Sequence, residues 1–310
     1  MYIFKFKTIT PLHISNGEVL DQNFHYVAFM GYIYKIDPLK FSKLIVKKER
    51  IDFTKEITTS QIESWIRKHQ IDIIDNAVVY SIKVHESFQA HLENQRATGK
   101  RQIIEFVNSN GNFYIPASSV KGAFLTVLGW KSLGIIPENP NIKDKVVFYD
   151  SDFIPTEYFS VYRTENRPPQ NNLICLDPDI EFSLKMQKKG KLDKNFLITR
   201  LKNYTKTQLD KLNIEGSKFK SNRTGKLKKA DLFLRSIEQI NTLAAKGEII
   251  INIGYGGGSW FKVSNGIVPK FISKAPNRRG KLEAAHSSFS FTINHNLVHI
   301  GWCKLEIEEL

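Results

Sequence analysis

Stretches in which apolar and polar residues alternate are followed, twice along this chain, by stretches with the 3.6-residue period of helices. Tyr2–Thr8 alternates like a strand, and "FHYVAFMGYIYKID" predicts a hairpin that turns at Gly31. Helices are then expected from Pro38 to about Lys48 and after an N-cap at Thr59 or Ser60. Hairpins followed by helix pairs favour antiparallel sheets with helices on one face. The pattern predicts an α+β fold of two ferredoxin-like (RNA-recognition-like) units.

The second half repeats this order with longer connections. Strands are expected at "KVVFYD" and "EYFSVYRTE", and one more across "LICLDPDIEFSLKM". Helices are expected at about Asp193–Leu212 and Lys228–Ala245, joined by the basic linker "EGSKFKSNRTGKLKK". We therefore predict an N-terminal domain over residues 1–145 and a C-terminal domain over residues 146–310. The C-terminal domain carries a lysine-rich helical insertion at about 185–246 and a glycine-rich loop at 254–258.

Charge and cysteine usage restrict the class of partner. The formal net charge is +14, and residues 185–229 contain fifteen Lys or Arg against three acids, a net +12. A basic surface gains affinity for polyanions by releasing counterions, although a solvated lysine-rich insertion gives the same composition. Two cysteines, distant in sequence, and histidines without ligand spacing indicate no disulfide framework, metal site or cofactor. No apolar run is long enough for a membrane span and no signal peptide is recognisable, so a cytoplasmic protein is expected.

The stretch "IPASSVKGAF" places phosphate-binding residue types at a strand-to-helix junction. Ser118 or Ser119 is positioned to cap a helix whose buried positions are Val120, Phe124, Val127 and Leu128. A helix N-terminus favours an anion, Lys121 adds a full positive charge, and Gly122 allows a phosphate to approach. An ordinary capped helix with a surface lysine is the alternative.

A second cluster, "NIGYGGGSWFKV", follows a predicted strand. Gly254, Gly256, Gly257 and Gly258 match neither a dinucleotide fingerprint nor a P-loop. Glycines let backbone amides contact phosphates, and aromatic side chains offer a stacking face to bases. The candidate RNA-binding residues here are the four glycines with Tyr255, Trp260 and Lys262. A tight turn or β-bulge beside the core is the alternative.

A third motif, "TPLHISNGE", lies near the N-terminus and contains His13 and Gly17. A histidine titrates near neutral pH and can act as a general acid or base in RNA cleavage. A lone histidine between Leu12 and Ile14 is equally consistent with a structural role.

The three motifs, in this order, resemble the RAMP superfamily of CRISPR–Cas systems, whose members are built on ferredoxin-like folds. Within it, the chain is similar to the subunit of type III-A (Csm) effector complexes that caps the 3′ end of the CRISPR RNA. The resemblance implies a non-enzymatic subunit that binds CRISPR RNA, contacts the neighbouring RAMP backbone subunit and recruits host exonucleases for guide maturation.

The resemblance also implies roles for single residues. Those facing phosphates are Ser118, Ser119, Lys121, Gly122, Gly254, Gly256, Gly257 and Gly258, while His13 and Gly17 shape the first loop. Ser15 and Ala117 stand where the family usually has glycine, which weakens the expected backbone contact at both points. Two alternatives remain open: a repeat-cleaving endoribonuclease of the same superfamily, and another structural RAMP subunit, such as the 5′-end cap or a backbone subunit.

Overall fold

The computed structural model describes most of the chain. The described residues are 1–51, 54–93, 101–127, 146–165, 171–188, 193–221, 237–257, 270–272, 282–284, 291–292 and 298–310. Leu128 and the residues Gly258, Trp260 and Lys262 of the glycine-rich loop lie outside them.

The described elements combine helices with many short strands. The helices are α1 (Pro38–Lys48), α2 (Thr59–Lys68), α3 (Gln70–Asn76), α4 (Glu86–Glu93), α5 (Ala117–Val127), α6 (Lys194–Ser221) and α7 (237–245). Two 3-10 turns lie at Thr156–Tyr158 and Gly254–Gly257. The strands are β1 (Tyr2–Thr8), β2 (Ser15–Leu20), β3 (Tyr26–Phe29), β4 (Tyr32–Ile36), β5 (Val78–Val84), β6 (Ile103–Phe106), β7 (Asn108–Ser109), β8 (Asn112–Phe113), β9 (Val146–Phe148), β10 (Phe159–Glu165), β11 (Asn171–Leu176), β12 (Glu181–Lys188), β13 (Ile249–Asn252), β14 (Lys270–Ile272), β15 (Leu282–Ala284), β16 (Phe291–Thr292), β17 (Val298–His299) and β18 (Trp302–Glu309). The predicted α+β class is confirmed.

Strand β1 lies in the middle of an antiparallel sheet with the order β13-β18-β1-β12-β9. It pairs along its length with β12 on one side and β18 on the other. Tyr2, Phe4 and Phe6 are buried, whereas Lys5 and Lys7, each directly after a buried phenylalanine, are exposed. This period of two buries one face of the strand and explains why the sequence predicted the element correctly.

The second sheet follows the path β2-β6-β11-β10-β5-β4-β3, with β16 and β17 attached at β10. Most of its pairs are antiparallel, and the hairpin predicted at Gly31 joins β3 to β4. Two pairs are parallel, β10 with β5 and β11 with β6. The sequence predicted antiparallel sheets because it shows hairpins, whereas these partners come from distant segments that no local pattern relates.

Both sheets contain strands from either side of the predicted domain boundary. β1 joins β12 and β18, and β10 and β11 join β5 and β6. The sheets are thus interleaved in sequence and do not follow a division at residue 145, which remains a prediction from sequence.

One hydrophobic core includes residues of both sheets and the buried face of α5. The ring of Phe4 on β1 contacts Phe124 of α5 edge to face, with centroids 4.7 Å apart, and Phe148 of β9 at 5.5 Å. Aromatic pairs in this arrangement add stabilisation beyond their buried area. The contacts fix the orientation of α5 on the first sheet.

Helices α2 and α5 begin at residues other than those predicted from the sequence. The N-cap of α2 is Thr58, in a capping box with Gln61, and not Thr59 or Ser60. Helix α5 already begins at Ala117, so Ser118 and Ser119 lie inside its first turn.

The lysine-rich region also differs from the prediction. Helix α6 continues to Ser221 and so includes the start of the expected basic linker. "LICLDPDIEFSLKM" forms two strands, β11 and β12, separated by a turn in which Asp179 has φ +64°. No helix within the described residues combines the length and apolar character that a membrane crossing requires.

Candidate functional site

The first motif is a loop whose first part is buried and whose second part is exposed. Leu12 exchanges two backbone hydrogen bonds with Leu176, of 2.9 and 2.8 Å, and the carbonyl of Pro11 accepts one from Gly301. After Ile14 the chain emerges, and residues 15–19 are exposed. Gly17, at φ +91°, donates its N–H to the Ser15 hydroxyl within a bulge of β2, where the register with β6 shifts between Ser15 and Val19. The buried part of the loop is thus held by β11 and by Gly301 next to β18, and the exposed bulge at residues 15–18, which we call the loop tip, follows it.

His13 is fully buried in this loop. Its Nδ1 donates a hydrogen bond of 2.7 Å to the carbonyl of Ile174, since that carbonyl can only accept. Burial lowers the pKa of His13 to about 4, although the hydrogen bond to Ile174 acts in the opposite direction. The ring is therefore neutral at pH 7 and lies inside the loop, away from solvent.

The start of the glycine-rich loop packs directly on the first motif. Gly254 has φ +73°, and a Cβ placed on it would lie 2.3 Å from the carbonyl oxygen of His13. The N–H of Tyr255 donates to the same oxygen at 2.8 Å, and the Tyr255 ring meets the His13 ring edge to face at 5.6 Å. Asn171 donates a hydrogen bond of 3.1 Å to the Tyr255 hydroxyl. Only glycine fits at residue 254, because the two backbones touch there.

The structure therefore brings together three of the residues predicted from sequence: His13, Gly254 and Tyr255. Gly256 and Gly257 continue the 3-10 turn that starts at Gly254. The tight turn beside the core, one of the two interpretations of this motif, is the local structure found.

An acidic side chain of the protein itself caps the N-terminus of α5. Asp150 accepts a hydrogen bond of 2.6 Å from the N–H of Ala117 through its carboxylate. Ser118 is exposed, and Ser119 and Lys121 are partly exposed. Among the described residues Lys121 forms no ion pair, and a Cβ on Gly122 would meet nothing within 4 Å. Packing within the protein therefore does not require a glycine at residue 122. Close approach of a bound ligand is a reason for glycine there that stays a prediction.

A model of the RAMP superfamily matches residues 5–262 of the chain. This chain belongs to the RAMP superfamily. Every site residue predicted from its sequence lies inside the matched range. Within the described part of this RAMP protein, no group of three or more His, Cys, Asp or Glu side chains is arranged to hold a metal ion.

The fold of this RAMP protein is similar to a chain in a cryo-EM structure of a Csm–crRNA–target RNA ternary complex of a type III-A CRISPR–Cas system. The TM-score is 0.64 at 14% identity, over 99% of this chain and 100% of the other. A crystal structure of T. onnurineus Csm5 aligns with 83% of this chain and 92% of its own, at 14% identity and a TM-score of 0.49.

A curated relative, the CRISPR system Cms protein Csm5 of Enterococcus italicus, is 28% identical over 150 residues. The match covers 41% of this chain and 42% of the relative, so it spans about two fifths of either protein.

Sequence reasoning missed Glu105, a fully buried carboxylate on β6. It accepts hydrogen bonds from Asn16, in the tip of the first loop, and from Lys35 and Tyr80. Burial alone raises the pKa of a carboxyl, but these donors, Lys35 foremost, hold the pKa of Glu105 below its usual value. The available signal was a charge two residues after Ile103, on the same buried face of the strand. Glu105 ties the loop tip to the second sheet.

Replacing Gly254 with alanine is expected to lower the free energy of unfolding by a few kcal/mol, because the Cβ forces the His13 carbonyl away. Gly17→Ala is the matched control: Gly17 also has positive φ, but its Cβ would meet nothing within 4 Å. Its cost is the backbone penalty alone, about 1–2 kcal/mol. Urea denaturation measures both, and equal losses would contradict the proposed contact between the two backbones.

Stability is expected to fall as the pH falls from about 6.5 towards 4. Burial lowers the pKa of His13 to about 4 and of His299 to about 3, so the folded protein keeps both rings neutral while the unfolded chain binds protons. The free energy of unfolding falls by up to about 1.4 kcal/mol per pH unit for each histidine. Urea midpoints between pH 5 and 6.5 measure it. His13→Asn should remove roughly half of this slope, and an unchanged slope would show that His13 is not buried neutral.

Proposed function

We propose that this RAMP protein is a non-catalytic subunit of a type III-A Csm effector complex that binds CRISPR RNA and caps its 3′ end. Support comes from the superfamily match over residues 5–262 and from the relative named Csm5. The structural neighbour belongs to a complex whose name includes crRNA. The proposal places the chain beside a RAMP backbone subunit and gives it a part in guide maturation through recruitment of exonucleases.

The contact between Gly254 and the His13 carbonyl carries the RNA-binding part of the proposal. It joins the glycine-rich loop to the first motif, although 240 residues separate them in sequence. Contact between the two motifs brings the turn that contains Gly256 and Gly257 beside the segment that leads into the exposed bulge at residues 15–18. The N–H groups of Gly17 and Glu18 already donate to the side chains of Ser15 and Asn16, so the backbone contact to phosphate is proposed for Gly256 and Gly257. This kind of contact needs no particular base. A guide whose sequence varies requires recognition of that kind.

The start of α5 supplies a positive charge to the same proposal. Lys121 is partly exposed and has no acidic partner among the described residues, so its charge is available to a phosphate. Ser118 and Ser119 offer hydroxyl donors on the same turn, and the proposal keeps them, with Gly122, as phosphate-facing residues. Gly258, Trp260 and Lys262 are included from the sequence alone.

Lys121→Glu is expected to weaken binding of a guide RNA by the purified protein. Loss of one phosphate contact should reduce the slope of log affinity against log salt concentration by about 0.7 to 1. Lys43→Glu is the matched control, because Lys43 is an exposed lysine on helix α1 and its substitution changes the net charge by the same amount. Fluorescence anisotropy across a salt titration measures the slopes. Equal slopes for both variants would remove the start of α5 from the RNA site.

The alternative of a repeat-cleaving endoribonuclease depends on His13 as its acid or base. The geometry disfavours this role, because the neutral ring is fully buried and its Nδ1 is engaged by Ile174. Incubation of the protein with repeat RNA, without metal ions, is therefore expected to leave the RNA intact at pH 6 to 8. Cleavage at one site that His13→Ala abolishes, while His25→Ala outside the proposed RNA site retains it, would establish the nuclease instead.

A further inference from the structure

Residues 149–158, which connect β9 to β10, combine exposed aromatic rings with acidic side chains; we call them the acidic aromatic segment. Tyr149 is 47% exposed, Phe153 64% and Tyr158 42%. Three large aromatic side chains at this exposure within ten residues are unusual, because burying each would remove a large apolar area from water. Tyr114, at the end of the β7–β8 hairpin, adds a fourth ring, 6.4 Å from that of Phe153.

The backbone of the acidic aromatic segment is held in place from both sides. Two hydrogen bonds join Ser151 to Ile115. The N–H of Ser151 donates to the carbonyl of Ile115 at 3.0 Å, and the N–H of Ile115 donates to the Ser151 hydroxyl at 2.8 Å. Ile154 donates its N–H to the carbonyl of Phe113 at 2.8 Å. The Tyr149 hydroxyl donates to the side chain of Gln187 on β12. A partner binding here would not have to order the loop, which lowers the entropic cost of association.

The charge of the segment opposes that of the protein as a whole. It contains Asp150, Asp152 and Glu157 and no Lys or Arg, in a chain of net charge +14. Asp150 caps α5, whereas Asp152 and Glu157 are exposed and form no ion pair among the described residues. Phosphates would be repelled at this surface, while Lys or Arg side chains around an apolar patch would be attracted. The segment therefore favours a protein partner over RNA.

We propose that the acidic aromatic segment docks a neighbouring protein subunit, with Phe153 entering an apolar pocket bordered by Lys or Arg side chains. Binding hot spots commonly consist of an aromatic side chain that fills a pocket of the partner and is surrounded by a polar rim. This inference rests on the proposed function, because the partner belongs to the same effector complex. It assigns the protein contact to different residues from those proposed to face RNA, on a surface that adjoins theirs where Asp150 caps α5.

The experiment uses the remaining subunits of the Csm complex from the same host, assembled on guide RNA without this chain. Binding of the purified chain to that assembly is measured by biolayer interferometry, and binding to free guide RNA by anisotropy. Phe153→Ser and Asp152→Lys should each weaken binding to the assembly by roughly tenfold or more. Affinity for free RNA should stay within about twofold for Phe153→Ser.

Two matched controls separate docking from general effects. Phe24→Ser removes another aromatic ring of 41% exposure, and Asp75→Lys reverses another exposed acid, on α3. Both should bind the assembly like the parent. Thermal melting checks that all four variants are folded, which their exposure leads us to expect.

The outcomes distinguish this inference from the proposed function. If the parent binds the assembly and Phe153→Ser binds equally well, the docking surface is wrong and the proposed function stands. If the parent binds neither the assembly nor RNA, both fail. A photo-crosslinker at position 153 gives a second measurement in the assembled complex. Attachment to a Lys- or Arg-containing peptide of another subunit supports the inference, whereas attachment to RNA or to a second copy of this chain overturns it.

Discussion

The fold depends on the hydrogen bonding of β1 to a strand on each side, β12 and β18. An N-terminal strand in the middle of a sheet brings the chain that follows it beside the ends of its partners. The first motif follows β1 directly, so it meets β11, which precedes β12, and Gly301, which precedes β18. β13 pairs with β18 in turn and delivers Gly254 to the same place. One set of backbone ladders thus positions both loops of the candidate site.

Polar groups buried behind the loops determine their shape. His13 is kept neutral by burial and bonded to Ile174, and Glu105 accepts three hydrogen bonds, one of them from Asn16 in the loop tip. A buried carboxylate is tolerated when its donors replace water, and removing a donor leaves a costly unpaired charge. His13 and Glu105 therefore hold the loops in position from the protein interior, without being exposed at the site themselves. A histidine in a motif proposed to bind RNA therefore need not touch the RNA itself.

Two surfaces of opposite character follow from the same architecture. Lys121 and the first turn of α5 offer a positive charge and hydroxyl groups, while the segment at residues 149–158 offers aromatic rings among acids. The two are adjacent, since Asp150 of the segment caps α5. For the RNA and protein contacts proposed above, this arrangement favours selectivity, because like charges exclude the wrong partner from each surface.

The sequence by itself determined the α+β class, strand β1, the hairpin at Gly31 and helix α1, because their periodicity and turn residues are local signals. It also indicated the three motifs and their glycines. It could not indicate Asp150 as the residue that caps α5, the parallel pairs β10–β5 and β11–β6, or the interleaving of the two sheets. Those depend on contacts between residues far apart in the chain, which have no local pattern. Only the tertiary structure decided that Gly254 must be glycine, because the carbonyl of His13 occupies the space where its Cβ would lie.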